Sequence, residues 1–237
     1  MLSHSPRVAV ITPYHGENIQ LLHACYQSVV SQSMQCIHVF VADGLPRREL
    51  DSWAVHHVKL PVCHNDIGST PRLIGSYHAI GLGVHAVAFL DADNWYHPDH
   101  ISQLFHVLER ENASFASSSR MLCDLNGKIL GKCPLINPTT FVDTNCMLFG
   151  SGAFHLLHNW ALMPDYAHLI GDRVMLRSVI SSNVKTVHLD IPSVFYRCGK
   201  SGLYELLGIP VPPGVSPRPD YEASFRRWVL DGNAPLV

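Results

Sequence analysis

The pattern of apolar and polar residues divides the first half of the chain into alternating strands and helices. Residues 7–12, 37–42 and 86–90 are short apolar runs, and the last has no polar interruption, as in a strand buried on both faces. Residues 18–32 carry apolar side chains at helical spacing, which predicts an amphipathic helix between the first two runs. Strand, helix and strand in this order predict parallel strands whose carboxyl ends meet at one edge of a sheet.

A weaker strand and a second helix continue the alternation before the central run. Residues 56–61 predict the strand, and Thr70-Pro71 predicts the start of the helix, with Thr70 as its N-cap. Arg72 then lies in the first turn, where the helix dipole disfavours a cation. An anionic partner resolves this conflict, and either a bound diphosphate or a salt bridge to Asp66 would serve.

After residue 112 the pattern changes to strands linked by turns. Asn126-Gly127 joins residues 114–123 to residues 128–132 and predicts a β-hairpin over residues 114–132. Residues 140–149 predict a further strand, although it contains three consecutive polar residues. Such a trio is unusual within an apolar run unless it faces a site or a bulge. The three residues are Asp143, Thr144 and Asn145.

The last part of the chain predicts one more amphipathic helix, two short strands and a loop. The helix begins near Asp172, and residues 184–190 and 193–197 predict the strands. Gly and Pro crowd residues 198–219, which predicts a mobile loop before a final short helix at residues 222–229.

Composition and charge argue against a nucleic-acid-binding protein and against a membrane-spanning one. The chain has 237 residues, of which 47% are hydrophobic, enough for a substantial core. Its net charge of −2 leaves no basic stripe for nucleic acid. The start lacks the apolar region of a signal peptide, and no apolar run approaches about 18 residues. We therefore expect a soluble, cytoplasmic protein.

Cysteines and histidines are numerous but show no metal-binding motif. The seven cysteines are odd in number, well spread and without a C-x-x-C pair, so we expect reduced thiols. Among the sixteen histidines, His97 with His100 and His155 with His158 have ligand-like spacing. Neither pair has a second pair nearby, so we expect ordinary surface and core histidines.

Asp91 and Asp93 follow the central apolar run with one small residue between them. Successive side chains of a strand point to opposite faces, so two carboxylates at this spacing point the same way and repel each other. A divalent cation removes the repulsion, and Mg²⁺ or Mn²⁺ prefers such oxygen ligands. The alternative is a polar loop in which one of the two aspartates caps the next turn.

Two more aspartates have both a structural and a chemical explanation. Asp43 follows the run at residues 37–42, at the sheet edge where open α/β proteins bind ligands. It equally suits the first position of the tight turn at Asp43-Gly44. For Asp172, in the first turn of a late helix, the structural explanation is that its charge complements the helix dipole.

In their order and spacing, these stretches resemble the GT-A glycosyltransferases of the inverting family 2 type, from residue 8 to about residue 197. The matching stretches are V-I-T-P-Y-H, S-V-V-S-Q-S, V-A-D-G, G-S-T-P-R, F-L-D-A-D-N-W-Y-H-P-D-H-I, F-V-D-T-N-C and G-D-R-V-M-L. The resemblance implies an α/β fold of the GT-A (Rossmann-like) nucleotide-diphospho-sugar transferase type. Such a fold has a central, mainly parallel sheet flanked by helices.

The resemblance also implies a division of the chain into two halves and a tail. Residues 1–112 would form a nucleotide-sugar-binding half that ends in the helix after the Asp-x-Asp motif. Residues 113–197 would form the acceptor and catalytic half of the same domain. Residues 198–237 would be a flexible C-terminal loop and helix, with the loop closing over the site to exclude water.

Several residues take on nucleotide-binding roles through the resemblance. Thr12, Pro13 and Tyr14 would lie at the nucleotide, with Thr12 and Tyr14 flanking its base. Asp43 would hydrogen-bond the base, which in this family favours uracil. Arg72 would contact the base or the diphosphate.

The resemblance assigns the metal and the base to three aspartates. Asp91 would lie near the ribose and the metal, and Asp93 would be the principal protein ligand of the Mn²⁺ or Mg²⁺ cofactor. Asp172 would be the catalytic base that takes the proton of the acceptor hydroxyl. Candidate contacts to the acceptor or the donor sugar are Asp143, Asn145 and His188.

These roles imply a metal-dependent, inverting glycosyltransferase that moves a sugar from a UDP-sugar to a hydroxyl of a glycan or another acceptor, with no nucleic acid as partner. Peripheral association with a membrane-bound acceptor stays open. Gly171 replaces the first acid of the family's Glu-Asp pair, so a non-catalytic nucleotide-sugar-binding or scaffold protein of the same fold is the alternative. A nucleotidyltransferase is less favoured, since the stretch after the first strand lacks a glycine-rich, basic phosphate loop.

Overall fold

The computed structural model describes residues 7–236, in which nine strands form a single sheet flanked by helices. The strands are β1 (Val8–Tyr14), β2 (Cys36–Asp43), β3 (His56–Leu60), β4 (Ala86–Phe89), β5 (Trp95–Tyr96), β6 (Phe115–Cys123), β7 (Ile129–Lys132), β8 (Met147–Gly150) and β9 (Thr186–Arg197). The helices are α1 (Ile19–Val30), α2 (Ser69–Gly81), α3 (His100–Arg110), α4 (Asn159–Leu162), α5 (Gly171–Ser181), α6 (Ser201–Leu206) and α7 (Tyr221–Leu230).

The first four strands have the parallel arrangement that the apolar runs predict. β1 pairs in parallel with both β2 and β4, and β2 pairs in parallel with β3. Every residue of β1 and β4 is buried, as expected for strands in the middle of a covered sheet. The carboxyl ends of β1, β2 and β4 therefore meet at one edge of the sheet.

The second half of the chain extends the same sheet. β8 pairs antiparallel with β4 and with β6, so it joins the two halves. β6 then pairs in parallel with β9 and forms the predicted hairpin with β7. Phe149 of β8 packs edge-on against Phe89 and Phe115, with ring centroids 5.9 and 5.0 Å apart. One hydrophobic core thus continues through both halves.

Helix α1 begins at a side-chain cap, whereas helix α2 begins earlier than expected and has no side-chain cap at its N-cap residue. The side chain of Asn18 accepts a hydrogen bond from the backbone N–H of Gln20 and starts α1. Helix α2 begins at Ser69, so Thr70 lies inside its first turn and is not the N-cap. The carboxylate of Asp66 accepts a hydrogen bond from the Thr70 N–H at 2.7 Å, and this bond takes the place of the predicted cap.

Only the end of the strand predicted at residues 140–149 is a strand. The carboxylate of Asp143 accepts a hydrogen bond from the backbone N–H of Asn145 at 3.0 Å, which turns the chain into a short 3₁₀ helix, Thr144–Cys146. β8 begins directly after this turn. The polar trio therefore ends the irregular segment and does not interrupt a strand, because a short Asp side chain competes for the backbone N–H groups.

The two late strands are one continuous strand, and the predicted loop contains a helix. β9 keeps its pairing with β6 across two register shifts, so residues 184–190 and 193–197 do not separate. α6 lies within residues 198–219, where its Tyr204 packs in a small second hydrophobic cluster. The final helix, α7, is present where residues 222–229 predict it.

Among residues 7–236, no helix is both long enough and apolar enough to cross a lipid bilayer.

Candidate active site

A cleft of about 600 Å³ lies at the edge where β1, β2 and β4 end. Open α/β sheets bind ligands at this edge, because the loops that follow parallel strands converge there. The cleft brings together six of the residues that the sequence singles out, which are Pro13, Tyr14, Asp43, Arg72, Asp91 and Asp93.

Asp91 is held from two sides at the end of β4. Its Oδ1 accepts a hydrogen bond from Arg72 Nη2 at 2.5 Å, and its Oδ2 accepts one from Asn145 Nδ2 at 2.9 Å. The backbone N–H of Asp91 donates to Asn145 Oδ1 at 2.6 Å. The anionic partner of Arg72 is therefore Asp91, and the salt bridge considered between Arg72 and Asp66 is not formed.

Asp93 lies in the same cleft, where its ionised form is destabilised. Burial, followed by the neighbouring charge of Asp91, raises the pKa of Asp93 to about 7. The backbone carbonyl of Asp93 accepts a hydrogen bond from Arg197 Nε at 3.1 Å, which fixes the turn. Two neighbouring carboxylates, one of which is unfavourable in its ionised form, suit a divalent cation that prefers oxygen ligands, such as Mn²⁺ or Mg²⁺.

A chain of hydrogen bonds continues from Asp91 into the second half. Asn145 Nδ2 donates to Asp91 and also to Asp143 Oδ1, the latter at 2.6 Å. Asp143 Oδ2 in turn accepts a hydrogen bond from Arg120 Nη1. The side chain of Asn145 is fully buried by these contacts, so the structure corrects the prediction that it contacts the acceptor or donor sugar. Its observed partners are the two carboxylates.

A second cavity, of about 420 Å³, lies on the other side of this hydrogen-bonded chain. Asp143 and Asp172 line it together, and Tyr221 at the start of α7 contributes to its wall. The C-terminal segment thus forms part of the wall of the cavity that contains Asp172. The buried side chain of Asn145 links the two cavities, since it donates to Asp91 in the cleft and to Asp143 in this cavity.

Asp172 lies in the first turn of α5, half-buried at the cavity wall. Its Oδ1 accepts a hydrogen bond from the backbone N–H of Arg173 at 2.7 Å. Burial and the nearby charge of Asp143 raise the pKa of Asp172 to about 7. A carboxyl group with this pKa is suited to take up a proton near neutral pH.

Close packing explains the glycine that precedes Asp172. A Cβ atom added to Gly171 would lie 3.3 Å from Met163 Sδ and 3.3 Å from the ring of Trp160. Any side chain at this position would require both neighbours to shift by a few tenths of an ångström. Trp160 also packs under Arg72, whose guanidinium carbon lies 5.2 Å from the ring centroid. The same tryptophan therefore supports Arg72 and fills the space beside Gly171.

Like Asn145, two other predicted site residues line neither cavity. Thr12 is fully buried, and its Oγ1 lies 2.9 Å from His38 Nε2, so the structure corrects its predicted place beside a nucleobase. His188 Nδ1 lies 2.9 Å from Ser117 Oγ between two strands. It is a hydrogen-bonded strand histidine, and its contact with the acceptor or donor sugar stays a prediction.

Tyr14 and Asp43 form the other end of the cleft. Tyr14 Oη lies 2.7 Å from His57 Nε2 and accepts a hydrogen bond from the backbone N–H of Arg47 at 2.8 Å. Asp43 Oδ1 accepts a hydrogen bond from His64 Nδ1 at 2.6 Å. These contacts fix both side chains before any ligand binds.

Three further residues were missed by sequence reasoning. Arg120 is a buried cation in β6 and pairs with Asp143. Its guanidinium carbon lies 4.0 Å from the ring centroid of Tyr196. A single arginine in a run of small and apolar residues was a signal that could have found it. Arg197 and Trp160 had no such signal, because their contacts join distant parts of the chain.

Comparison with known proteins identifies the family that these residues fit. The model of the family described as Glycosyl transferase family 2 matches residues 9–170. This confirms the resemblance drawn from the sequence. The matched segment includes Asp91, Asp93 and Asn145, and it ends just before Asp172. No curated protein matches the chain significantly.

Solved structures of S. aureus TarS share the fold at low sequence identity. TarS 1–349 in complex with UDP matches with a TM-score of 0.61 and 12% identity, over 85% of this chain and 63% of that chain. The complex with UDP-GlcNAc matches with a TM-score of 0.60 and 12% identity, over 81% and 58%. This likeness confirms the GT-A fold. The chain spans about 63% of the length of the first of these structures.

The raised pKa of Asp93 predicts how stability depends on pH. The folded protein binds the proton of the Asp93 carboxyl group more tightly than the unfolded chain does, in which the pKa of Asp93 is near 3.8. The metal-free protein therefore loses stability as pH rises from about 4 to about 7. Asp93→Asn removes this loss. In EDTA we expect the variant to melt a few degrees higher than wild type at pH 8 and equally near pH 4.

Thermal melting at the two pH values checks this expectation, and Asp99→Asn is the matched control, since the Asp99 side chain is 49% exposed. Adding Mn²⁺ at pH 8 should stabilise wild type and leave Asp93→Asn unchanged. Equal melting temperatures of wild type and Asp93→Asn at pH 8 in EDTA would contradict the assigned pKa.

Proposed function

Because the chain belongs to glycosyl transferase family 2, we propose that it moves a sugar from a nucleotide-sugar to an acceptor hydroxyl with inversion at the sugar carbon. The observation that carries this proposal is the placement of two carboxyl groups with a pKa near 7. Asp93 lies in the cleft and Asp172 in the neighbouring cavity, with Asn145 and its two hydrogen-bonded carboxylates between them.

In this proposal the cleft binds the donor. Arg72 and Asp91 face the diphosphate and ribose, and Tyr14 and Asp43 face the base. The complexes of S. aureus TarS with UDP and UDP-GlcNAc favour uracil as the base, although that likeness extends only to the fold. A UDP-sugar is therefore the proposed donor.

Asp93, assisted by Asp91, would hold the Mn²⁺ or Mg²⁺ cofactor. The fit rests on two adjacent carboxylates in a half-buried cleft, one of which ionises only near pH 7. When bound, the cation acts as a Lewis acid and stabilises charge on the leaving diphosphate. The protein's own part is to hold both carboxylates in place, through Arg72 and Asn145 on Asp91 and through Arg197 on the turn at Asp93.

Asp172 would act as the base on the acceptor side. As the acceptor oxygen forms its bond to the sugar carbon, the bond from that carbon to the diphosphate breaks, and the hydroxyl proton passes to the Asp172 carboxylate. One displacement of this kind inverts the sugar carbon. The pKa of about 7 makes Asp172 an effective base at neutral pH, and transfer should rise as pH increases through that value.

The C-terminal segment would shield the reaction from water. Leu203 and Leu206 of α6, with Tyr221 of α7, line the cavity beside Asp172. Excluding water matters here because water would otherwise take the place of the acceptor and hydrolyse the donor.

A second candidate function is donor binding without transfer. The observation that favours it is Gly171, which lacks an acidic side chain and packs tightly against Trp160 and Met163. The two functions differ in one measurable respect, since only the enzyme releases UDP when an acceptor is present.

Donor binding is tested by calorimetric titration with UDP and with GDP, in Mn²⁺ and in EDTA. We expect UDP to bind in Mn²⁺ more tightly than GDP, and EDTA to abolish the binding. Asp93→Asn should weaken UDP binding by at least about 10-fold, because a lost metal contact costs at least this much, whereas Asp99→Asn should not. UDP binding that is indifferent to metal and to Asp93→Asn would refute the proposal.

The base is tested by UDP release from UDP-GlcNAc and other UDP-sugars with a panel of hydroxyl acceptors. Asp172→Asn should slow release by about 10²–10⁴-fold while UDP affinity stays the same. Asp165→Asn, at an exposed position just upstream, is the control. Release that is unaffected by Asp172→Asn would sink the assignment, and UDP binding without release by wild type would favour the second candidate.

A further inference from the structure

Three side chains, each with a different type of ligand atom, converge in the cleft near the carboxyl end of β2. They are His15, Asp43 and Cys63, and their ligand atoms all lie within 4.8 Å of one another. This is the one such group of three found among residues 7–236. β2 lies two strands from β4 in the sheet, a distance of about 10 Å, so the cluster is separate from Asp91 and Asp93.

The histidine of this cluster has the tautomer that binds metals. His15 Nδ1 lies 2.6 Å from the backbone carbonyl oxygen of Asp43. A carbonyl oxygen only accepts, so Nδ1 carries the hydrogen and Nε2 keeps its lone pair. His15 Nε2 points to Cys63 Sγ, 3.9 Å away. Metal-binding histidines typically donate their other ring N–H in this way, which fixes the ring.

The thiol of Cys63 faces more acceptors than it can satisfy. Asn65 Oδ1 lies 3.2 Å from the sulfur and Asp43 Oδ2 lies 3.6 Å from it, in addition to the lone pair of His15. A thiol has a single hydrogen and donates it weakly. A cation in place of that hydrogen would satisfy the histidine and the carboxylate at the same time.

Two of the three spacings between these atoms fit a tetrahedral cation, and the third, from His15 to Asp43, is within 4.8 Å. Zinc bonds of about 2.0–2.3 Å to nitrogen, oxygen and sulfur place neighbouring ligands roughly 3.3–3.8 Å apart. The contacts from Cys63 to Asp43 and to His15 are close to this range. His64 Nδ1 holds the other carboxylate oxygen of Asp43 at 2.6 Å, which supplies the support that metal-bound carboxylates usually have.

We propose that His15, Asp43 and Cys63 bind Zn²⁺ or a similar thiophilic divalent cation. The ligands would be His15 Nε2, Asp43 Oδ2 and the Cys63 thiolate, with the thiol proton released to solvent as the metal binds. All three residues line the cleft, so a cation bound to them would lie at its wall. This site differs in ligand chemistry from the two carboxylates at Asp91 and Asp93, which suit Mn²⁺ or Mg²⁺.

One consequence rests on the proposed function. Asp43 is also the residue proposed to bind the nucleobase, so Zn²⁺ bound there would compete with UDP. The intrinsic affinity for Zn²⁺, measured without nucleotide, does not depend on that function.

The test is a titration of reduced, metal-free protein with Zn²⁺ in competition with a chromogenic chelator, followed by Co²⁺ as a spectroscopic probe. We expect one tight site and a thiolate-to-cobalt charge-transfer band. Cys63→Ser should abolish the band, and Cys63→Ser and His15→Gln should each weaken Zn²⁺ binding by at least about 100-fold, the upper end of the loss seen for supporting residues.

Cys36→Ser is the matched control, since Cys36 is half-buried like Cys63 but lies at the opposite end of β2, roughly 23 Å from Asp43. It should bind Zn²⁺ as wild type does. Melting of each metal-free variant confirms that it is folded. Equal Zn²⁺ affinity in wild type and Cys63→Ser, or a cobalt spectrum without the thiolate band, would overturn the site.

A last comparison keeps the two proposals apart. In saturating Mn²⁺, added Zn²⁺ should lower the affinity for UDP in wild type and not in Cys63→Ser. A Zn²⁺ site that leaves UDP binding unchanged would stand, and only the role of Asp43 at the base would fail.

Discussion

The amide of Asn145 holds two carboxylates that would otherwise repel each other. Its single nitrogen donates to Asp91 and to Asp143, and an arginine binds each carboxylate from the far side, Arg72 on the first and Arg120 on the second. Charges and dipoles thus alternate along one line from the cleft to the cavity. Removing one member of such a buried set leaves an uncompensated charge, which is costly at low dielectric. The geometry of both cavities depends on this line.

The same arrangement distinguishes two kinds of carboxylate, those held in ion pairs and those whose pKa is raised. Asp91 and Asp143 have arginine partners, whereas Asp93 and Asp172 are the two aspartates whose pKa is raised to about 7. Each is raised first by burial and then by the charge of the neighbouring member of the line. The buried pairs therefore tune the two groups proposed to hold the cofactor and to take the proton.

Local patterns predicted the parallel strands and the Asp91–Asp93 pair well, because each depends on residues close together in sequence. The directions of side chains were harder to predict. Thr12 and Asn145 were expected at ligands but are buried in hydrogen bonds to other parts of the chain. Cys63 and His15 carried no metal motif, since the sheet edge alone brings them together. Contacts of this kind are set by tertiary packing.

The affinity of Asn145→Ala for UDP in the presence of Mn²⁺ tests the central claim most directly. The variant keeps every residue proposed to touch the nucleotide or the metal, and melting verifies that it is folded. If the amide positions Asp91, affinity should fall by about 10–100-fold, as for other groups that orient a metal ligand. UDP affinity equal to that of wild type in a folded Asn145→Ala protein would show that the line of hydrogen bonds does not support the site.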